Sequence, residues 1–263
     1  MKNIAIIAPS GNSDEVDEKK IKEFFNSFNL NVQIYPSCYK KFRYMAGDDN
    51  QRLNDIHNAF LNKDIDTILC LRGGYGAIRL LDKIDYELIN ENKKTFIGFS
   101  DITLLLISFY KKANLMSYHA KMALNGVIKM HKDEFLNYKN SIENNLFNSS
   151  LKGGILWGGN LASVVSLFGS NTNDYIPDED IILFLEDINE PDYKIDRMLN
   201  QILRNSFLKE KIKGVIFGDF SGTGKYLEDI KKEFIDVLGV PFENNLNIGH
   251  NENNIVVPFG LKL

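Results

Sequence analysis

The chain has 263 residues, of which 44% are hydrophobic and 25% are charged, as in a globular protein of one large or two modest domains. This composition excludes disordered, collagenous and coiled-coil structure. The formal net charge of −4 argues against a general binder of nucleic acid or of an anionic membrane, because such proteins need a basic face.

The cysteines and histidines narrow the chemistry further. The two cysteines are too few for a disulfide scaffold, and none of the four histidines has metal-ligand spacing to another. We therefore expect neither a metal nor another cofactor.

The apolar runs at 4–8 and 104–110 are shorter than the apolar part of a signal peptide and than the ~20 residues that span a bilayer, so we expect a cytoplasmic protein.

The first half of the chain alternates strand-like and helix-like patterns. Taken in chain order, the patterns predict a strand at 3–8, a helix at 14–28, a strand at 31–35, a helix at 49–62, a strand at 67–71, a helix at 77–83, a strand at 95–99, a helix at 101–112 and a strand at 115–118. Regular alternation of this kind predicts an α/β domain with a doubly wound parallel sheet, flavodoxin-like or Rossmann-like.

The second half begins after a polar helix that fades into an asparagine- and serine-rich stretch over 132–152. The patterns beyond it predict short strands at 155–157, 181–185, 215–217 and 255–257, and helices at 192–205 and 226–237. We predict an N-terminal domain over 1–135, a linker over 136–152 and a smaller, β-rich mixed domain over 153–263.

One predicted strand of the first half ends in a glycine turn, Arg72-Gly-Gly-Tyr-Gly76. Ligands of open parallel sheets bind beyond the carboxyl ends of the strands, and glycines let the backbone aim N–H groups at an anion. The turn is not a dinucleotide fingerprint, because Arg79 stands where the last glycine belongs. The alternative interpretation is a tight turn without a ligand.

A second strand end places Ser100 directly between a strand and a helix. This position exposes the hydroxyl and sets the next N–H groups at the positive helix terminus, where an oxyanion is stabilised. The pattern is half of a nucleophile elbow, because Ile102 replaces the second glycine. The alternative is that Ser100 only caps the helix.

A serine nucleophile needs a base, which the histidines could supply. His57 and His131 fall on predicted helices with polar neighbours, which predicts solvated side chains. His119 ends a predicted strand near Ser100, and His250 lies in a polar loop, so both stay candidates.

The base in turn needs a carboxylate to orient it. Glu186 and Asp187 end a predicted strand, which holds a carboxylate rigidly beside a cleft. The alternative is that both only cap the helix that begins near Pro191. Glu190 is a further carboxylate of this stretch, and we favour Glu186 because it directly follows the strand.

Five segments, taken together, resemble one family. They are Arg72-Gly-Gly-Tyr-Gly76, Gly98-Phe-Ser-Asp-Ile-Thr103, Trp157-Gly-Gly-Asn-Leu161, Leu185-Glu-Asp187 with Ile195-Asp-Arg-Met-Leu199, and Gly249-His250 with Pro258-Phe-Gly260. This set, nearly end to end, is similar to that of the LD-carboxypeptidases, serine peptidases that include the microcin C self-immunity peptidases.

The resemblance implies a Ser-Glu-His triad shared between two domains. Ser100 would be the nucleophile, His250 the general base and then acid, and Glu186 the group that orients His250. The N–H groups of Gly74 and Asp101 would form the oxyanion hole.

The resemblance also implies a reaction, the release of terminal D-alanine from murein tetrapeptides in peptidoglycan recycling. A microcin-type immunity peptidase with the same triad is one alternative, and a non-catalytic two-domain binding module is another. Trp157 and Asn160 are candidate substrate contacts, although Trp157 also suits core packing and Asn160 also suits satisfaction of nearby backbone. The resemblance implies a murein peptide as the partner and a homodimer, whereas the expectation of neither nucleic acid nor membrane rests on the net charge and the short apolar runs.

The sequence departs from the family at one place. Ala120-Lys121 follow His119 where the family usually has Gly-Pro. This departure affects a loop on the substrate side rather than the triad.

Overall fold

Six strands form the first sheet of the computed structural model, which describes residues 1–124, 126–169, 172–245 and 247–263. The strands are β1 (Asn3–Ile7), β2 (Asn31–Ile34), β3 (Thr67–Cys70), β4 (Thr95–Gly98), β5 (Ser117–His119) and β10 (Val257–Phe259). Their order is β10-β5-β4-β3-β1-β2, and every pair is parallel except β10 with β5. Continuous apolar runs such as that of β3, buried at every position, suit strands covered on both faces.

Helices connect the parallel strands of this sheet. They are α1 (Glu18–Asn26), α2 (Asp49–Leu61), α3 (Tyr86–Glu91) and α4 (Thr103–Ala113), and a further helix, α5 (Lys132–Glu143), follows the last of these strands, β5. The start of α2 is fixed by a capping box between Asp48 and Gln51. The predicted helix at 77–83 is instead a single 3₁₀ turn over Ala77–Leu80, and α3 was not predicted.

A second, four-stranded sheet follows. Its strands are β6 (Ile155–Asn160), β7 (Ile181–Glu186), β8 (Ile212–Phe217) and β9 (Phe242–Asn244), in that order and all parallel. Its helices are α6 (Leu161–Ser166), α7 (Asp192–Arg204), α8 (Ser206–Lys211) and α9 (Leu227–Leu238). The architecture confirms the predicted fold class, a parallel α/β sheet followed by a smaller second sheet with helices.

The end of the chain returns to the first half. The strand predicted at 255–257 lies at Val257–Phe259 and pairs with β5 of the first sheet rather than within the second. The last residues then pair with the start of β6, where Leu156 and Leu261 share a backbone hydrogen bond of 2.8 Å. A short apolar run reveals a strand but not the sheet that it joins, so the sequence could not show this.

The two halves meet near the carboxyl ends of β4 and β6. The N–H of Asn160 donates to Thr103 Oγ1 at 3.1 Å, and both residues are buried. Across the described parts of the chain, no helix combines the length and the apolar character that crossing a membrane requires.

Candidate active site

Ser100 lies at a strained bend between β4 and α4. Its φ is +61°, a left-handed conformation that a non-glycine residue adopts at a cost and that is common at functional sites. Its side chain makes no capping hydrogen bond, so the capping alternative is not what the structure shows. A Cβ on Gly98 would lie 2.5 Å from Ile102 Cγ2. Ile102, which replaces the second glycine of the nucleophile-elbow pattern, therefore packs onto Gly98, the first glycine of that pattern.

The glycine turn after β3 packs directly against this serine. A Cβ on Gly73 would lie 2.9 Å from Ser100 Cβ and 3.0 Å from its Oγ. The turn is held by a hydrogen bond from the N–H of Gly11 to the carbonyl of Gly73 at 3.2 Å. Gly74 has a φ of +127°, which side chains rarely adopt. The structure therefore brings two of the predicted motifs together and requires glycine at both positions.

Asp101 ties the serine bend to the same turn. Its buried carboxylate accepts hydrogen bonds from Ser10 Oγ at 2.5 Å and from the N–H of Ala77 at 2.9 Å. Burial raises the pKa of this carboxyl group, and these hydrogen bonds oppose the rise. Sequence reasoning missed Ser10, which follows the first strand in a Pro-Ser-Gly segment and carries no motif.

Glu186 and His250 come together although 64 residues separate them. Glu186 ends β7 and is fully buried, and its Oε2 lies 2.7 Å from His250 Nδ1. An ionised carboxylate only accepts, so Nδ1 carries the proton and Nε2 is left as the acceptor. The histidine ring packs on Phe99, with ring centroids 4.8 Å apart, which places it beside the serine bend.

The charges of this pair reinforce one another. Burial opposes ionisation of Glu186, but contacts with His119 and His250 outweigh it and lower the pKa of Glu186 to about 2. Burial works against the cation of His250, yet Glu186, with smaller contributions from Asp187 and Asp219, raises the pKa of His250. The carboxylate is thus ionised at neutral pH and stabilises a histidine that accepts a proton.

His119, the rival base, is also at this carboxylate. Its Nε2 lies 3.6 Å from Glu186 Oε1, and its side chain is fully buried. Glu186 therefore faces one histidine with each oxygen, an arrangement that the sequence did not predict. Burial removes His119 from contact with solvent, whereas His250 stays partly exposed.

The neighbouring acids have other partners. Asp187 accepts hydrogen bonds from the N–H groups of Ala162 and Ile188 at 3.0 and 2.9 Å, and burial raises its pKa to about 6. Glu190 pairs with Lys194 at 3.0 Å. The expected alternative, capping of α7, is not observed, because its N-cap makes no side-chain hydrogen bond.

The two histidines that were expected to be solvated, His57 and His131, lie outside this site. His131 is exposed and directly precedes α5. His57 is half-buried, and its Nε2 accepts a hydrogen bond from the N–H of Asp85 at 3.1 Å. The side chain of His57 is thus only partly solvated, because the start of α3 packs against α2 there.

The two candidate substrate contacts are both buried. Trp157 is 1% exposed and belongs to the main hydrophobic core, as its packing alternative implies. Asn160 caps α6 by accepting from the N–H of Ser163 at 3.0 Å, and its Nδ2 donates to Asp187 Oδ1 at 3.1 Å. The structure thus favours the structural alternatives for both residues.

An open groove of about 460 Å³ begins at His250. Its charged lining residues are Lys121, Lys129, Glu134 and Glu252. Lys121, one of the two residues that depart from the family pattern, donates a hydrogen bond to the carbonyl of Glu252. The departure therefore lies in a wall of the groove beside the histidine.

Comparisons with known proteins agree across the whole chain. The LD-carboxypeptidase N-terminal domain matches residues 4–120, and the LD-carboxypeptidase C-terminal domain matches residues 153–263. The probable murein peptide carboxypeptidase of Bacillus subtilis is 30% identical over 98% of this chain and 87% of its own length. The murein tetrapeptide carboxypeptidase of Pseudomonas aeruginosa is 29% identical over 98% of this chain and 91% of its own length.

Solved structures give the same result. The crystal structure of muramoyltetrapeptide carboxypeptidase from Oxalobacter formigenes superposes with a TM-score of 0.84 and 26% identity, covering 98% of this chain and 93% of that one. The structure of MccF in complex with glutamyl sulfamoyl guanosine shares the fold, with a TM-score of 0.84 and 18% identity over 99% of this chain and 91% of that one. From its sequence relatives and its fold, this chain belongs to the LD-carboxypeptidase family of peptidases.

Proposed function

We propose that the chain is a serine-type LD-carboxypeptidase that releases terminal D-alanine from murein tetrapeptides in peptidoglycan recycling. The observation that carries the proposal is the 2.7 Å contact between the buried carboxylate of Glu186 and His250, beside a strained serine. The murein-directed names of two sequence relatives and one structural neighbour support this substrate class.

In the proposed mechanism, Ser100 Oγ transfers its proton to His250 Nε2 and attacks the carbonyl carbon of the last peptide bond. The N–H groups of Gly74 and Asp101 stabilise the oxyanion, and one such donor contributes about 2.7–4 kcal/mol. His250 then gives its proton to the departing D-alanine amine, which leaves an acyl-enzyme on Ser100. Water deprotonated by His250 hydrolyses that ester, and positioned proton transfer of this kind contributes ~10²–10⁴-fold.

A microcin-type immunity peptidase is the second candidate. It is favoured by the fold shared with MccF, a protein solved in complex with glutamyl sulfamoyl guanosine. The same triad would then cleave the amide of a modified aminoacyl nucleotide. Comparing kcat/KM for a murein tetrapeptide and for such a nucleotide on one enzyme preparation separates the two, and we expect the tetrapeptide to be preferred.

The third candidate, a non-catalytic binding module, is tested by labelling. A phosphonate probe for active serines should react with the wild type and not with Ser100→Ala, because only an activated hydroxyl attacks phosphorus. Ser163→Ala is the matched control, since that hydroxyl lies near the carbonyl of Ser100 but has no histidine partner in the described structure. Absence of labelling in a folded wild type would favour the binding module.

The homodimer, which the resemblance implies, and the cytoplasmic location, which the short apolar runs predict, remain part of the proposal. Light scattering behind a sizing column tests the first, because a dimer has twice the 30.1 kDa mass of the chain. Fractionation of the source cells tests the second.

A further inference from the structure

One buried histidine has no role in the mechanism above. His119 is fully buried at the end of β5, and neither of its ring nitrogens has a hydrogen-bond partner among the described residues. Most buried polar groups find a partner, so an unmatched imidazole in a core needs an explanation. The nearest acidic group is the carboxylate of Glu186, with His119 Nε2 3.6 Å from its Oε1.

The carboxylate of Glu186 likewise has an oxygen without a hydrogen-bond partner within the residues that the structure describes. Oε2 of Glu186 is occupied by His250, whereas the buried Oε1 has no hydrogen-bond partner in the part of the chain that is described. An ionised carboxylate in a core is costly unless both of its oxygens are stabilised. The backbone packs closely on Oε2, because a Cβ on Gly249 would lie 2.9 Å from that oxygen. The charged contact of Oε1 in the described structure is with His119 Nε2.

The ring of His119 is held in place by both halves of the molecule. Its backbone pairs with Gly98 of β4 and with Val257 of β10. Its ring lies edge-on to Phe99 and to Phe184, with centroids 5.6 and 5.3 Å away. These contacts fix the direction in which Nε2 points, and they do so independently of the loop that carries His250.

We propose that His119 is a positioning residue for the triad, whose Nε2–H is directed at Oε1 of Glu186 across 3.6 Å and stabilises that oxygen so that Oε2 stays aimed at His250. The proposal rests on the proposed function. Because His119 comes from the first sheet and Glu186 from the second, the contact links the docking of the two halves to the orientation of the base. His119 is not itself a base, since its ring is sealed from solvent and from the groove.

Two substitutions at His119 distinguish a role as a hydrogen-bond donor from a role in packing. His119→Gln keeps a donor near the place of Nε2 but loses the ring, whereas His119→Phe keeps the ring and loses the donor. We expect His119→Phe to lower kcat by about 10–100-fold, the size of effect on activity known for residues that orient the ligands of a metal. His119→Gln should keep most of the activity, and KM should change little in either variant. The same two substitutions at His57, a half-buried histidine remote from the triad, serve as controls and should leave kcat unchanged.

Three results would overturn the proposal. Full activity in both variants would show that His119 does not contribute to catalysis. Activity retained in His119→Phe but lost in His119→Gln would assign it to packing. Equal loss in two folded variants would show that the donor is not what matters.

A measurement on the wild type covers the case in which the variants do not fold. Nitrogen-15 NMR of the imidazole rings reports which nitrogen of His119 carries the proton. We expect the proton on Nε2, and a proton on Nδ1 alone would contradict the proposal. This measurement needs no substrate, so its outcome does not depend on whether the wild type cleaves a murein tetrapeptide. Failure of the His119 proposal can therefore be distinguished from failure of the proposed function.

Discussion

At the scale of single residues, the candidate site depends on one buried carboxylate. Glu186 raises the pKa of His250 above its ordinary value of 6.5, and Asp187 and Asp219 act in the same direction. A general base works only in its neutral form, so its activity is gained as pH rises through its pKa. The charge around His250 therefore sets the pH range that the proposed mechanism requires.

The pH dependence of kcat/KM tests this directly. We expect kcat/KM of the wild type to rise with pH along an acid limb whose midpoint lies above 6.5, since His250 must lose its proton and its pKa is raised. In Glu186→Gln the midpoint should move to lower pH, because the carboxylate no longer favours the imidazolium. Its kcat should fall by about 10⁴-fold, as when a triad carboxylate becomes an amide.

Glu190→Gln is the matched control for this experiment. Its carboxylate pairs with Lys194 rather than with a histidine, so its pH profile should coincide with that of the wild type. An unchanged midpoint in Glu186→Gln would contradict the assignment of Glu186 as the partner of the base.

The sequence predicted part of this residue-scale picture. Ser100, Glu186 and His250 were identifiable because each belongs to a motif of residues close in sequence. The contact between His119 and Glu186 was not, and neither was that between Ser10 and Asp101, because both pair residues from separate elements. Nothing in local composition encodes which buried polar groups will meet.

At the scale of elements, two loop segments form the serine's surroundings. The glycine turn after β3 lies so close to the bend after β4 that a Cβ at Gly73 would overlap Ser100. The sequence predicted both segments at strand ends of one sheet edge. It could not show that Gly73 touches the serine while Gly74 is held against Gly11.

Gly73→Ala tests this close approach. The new methyl would displace the Ser100 side chain, and a shift of ~1 Å at a reacting atom costs ~10²-fold in rate. We expect kcat to fall by about that factor while the thermal midpoint changes little, as measured by tetrapeptide turnover and by circular dichroism.

Gly169→Ala provides the control, because a Cβ there would meet no atom of the described residues within 4 Å. Equal activity in the two variants would mean that Ser100 does not need the space beside Gly73.

At the scale of the whole molecule, the last strand joins the two halves. Phe259 of β10 is fully buried, and its ring contacts Tyr110 of α4 and Phe184 of β7, with centroids 6.0 and 6.1 Å away. The predicted division into 1–135, 136–152 and 153–263 stays a prediction, and α5 crosses its first boundary. A strand that returns to the first sheet ties the stability of one half to the other.

Phe259→Ala should destabilise both halves together. Loss of a fully buried phenylalanine costs about 3–5 kcal/mol in the free energy of unfolding. Urea unfolding followed by fluorescence of Trp157, the one tryptophan of the sequence, reports on the second sheet, and circular dichroism reports on all helices. We expect both transitions to move to lower urea by the same amount.

Phe242→Ala is the matched control, because this side chain is 49% exposed at the edge of the second sheet, and its transitions should hardly move. If Phe259→Ala shifted only one of the two signals, the halves would unfold independently and the proposed link through β10 would be wrong.

The central claim is that Ser100 and His250 together cleave the last bond of a murein tetrapeptide. Mass spectrometry of the tetrapeptide after incubation with wild type, Ser100→Ala and His250→Ala tests it most directly. We predict loss of one alanine residue with the wild type and an intact peptide with either folded variant. Cleavage that persists in purified Ser100→Ala, or an intact peptide with a folded wild type, would contradict the claim.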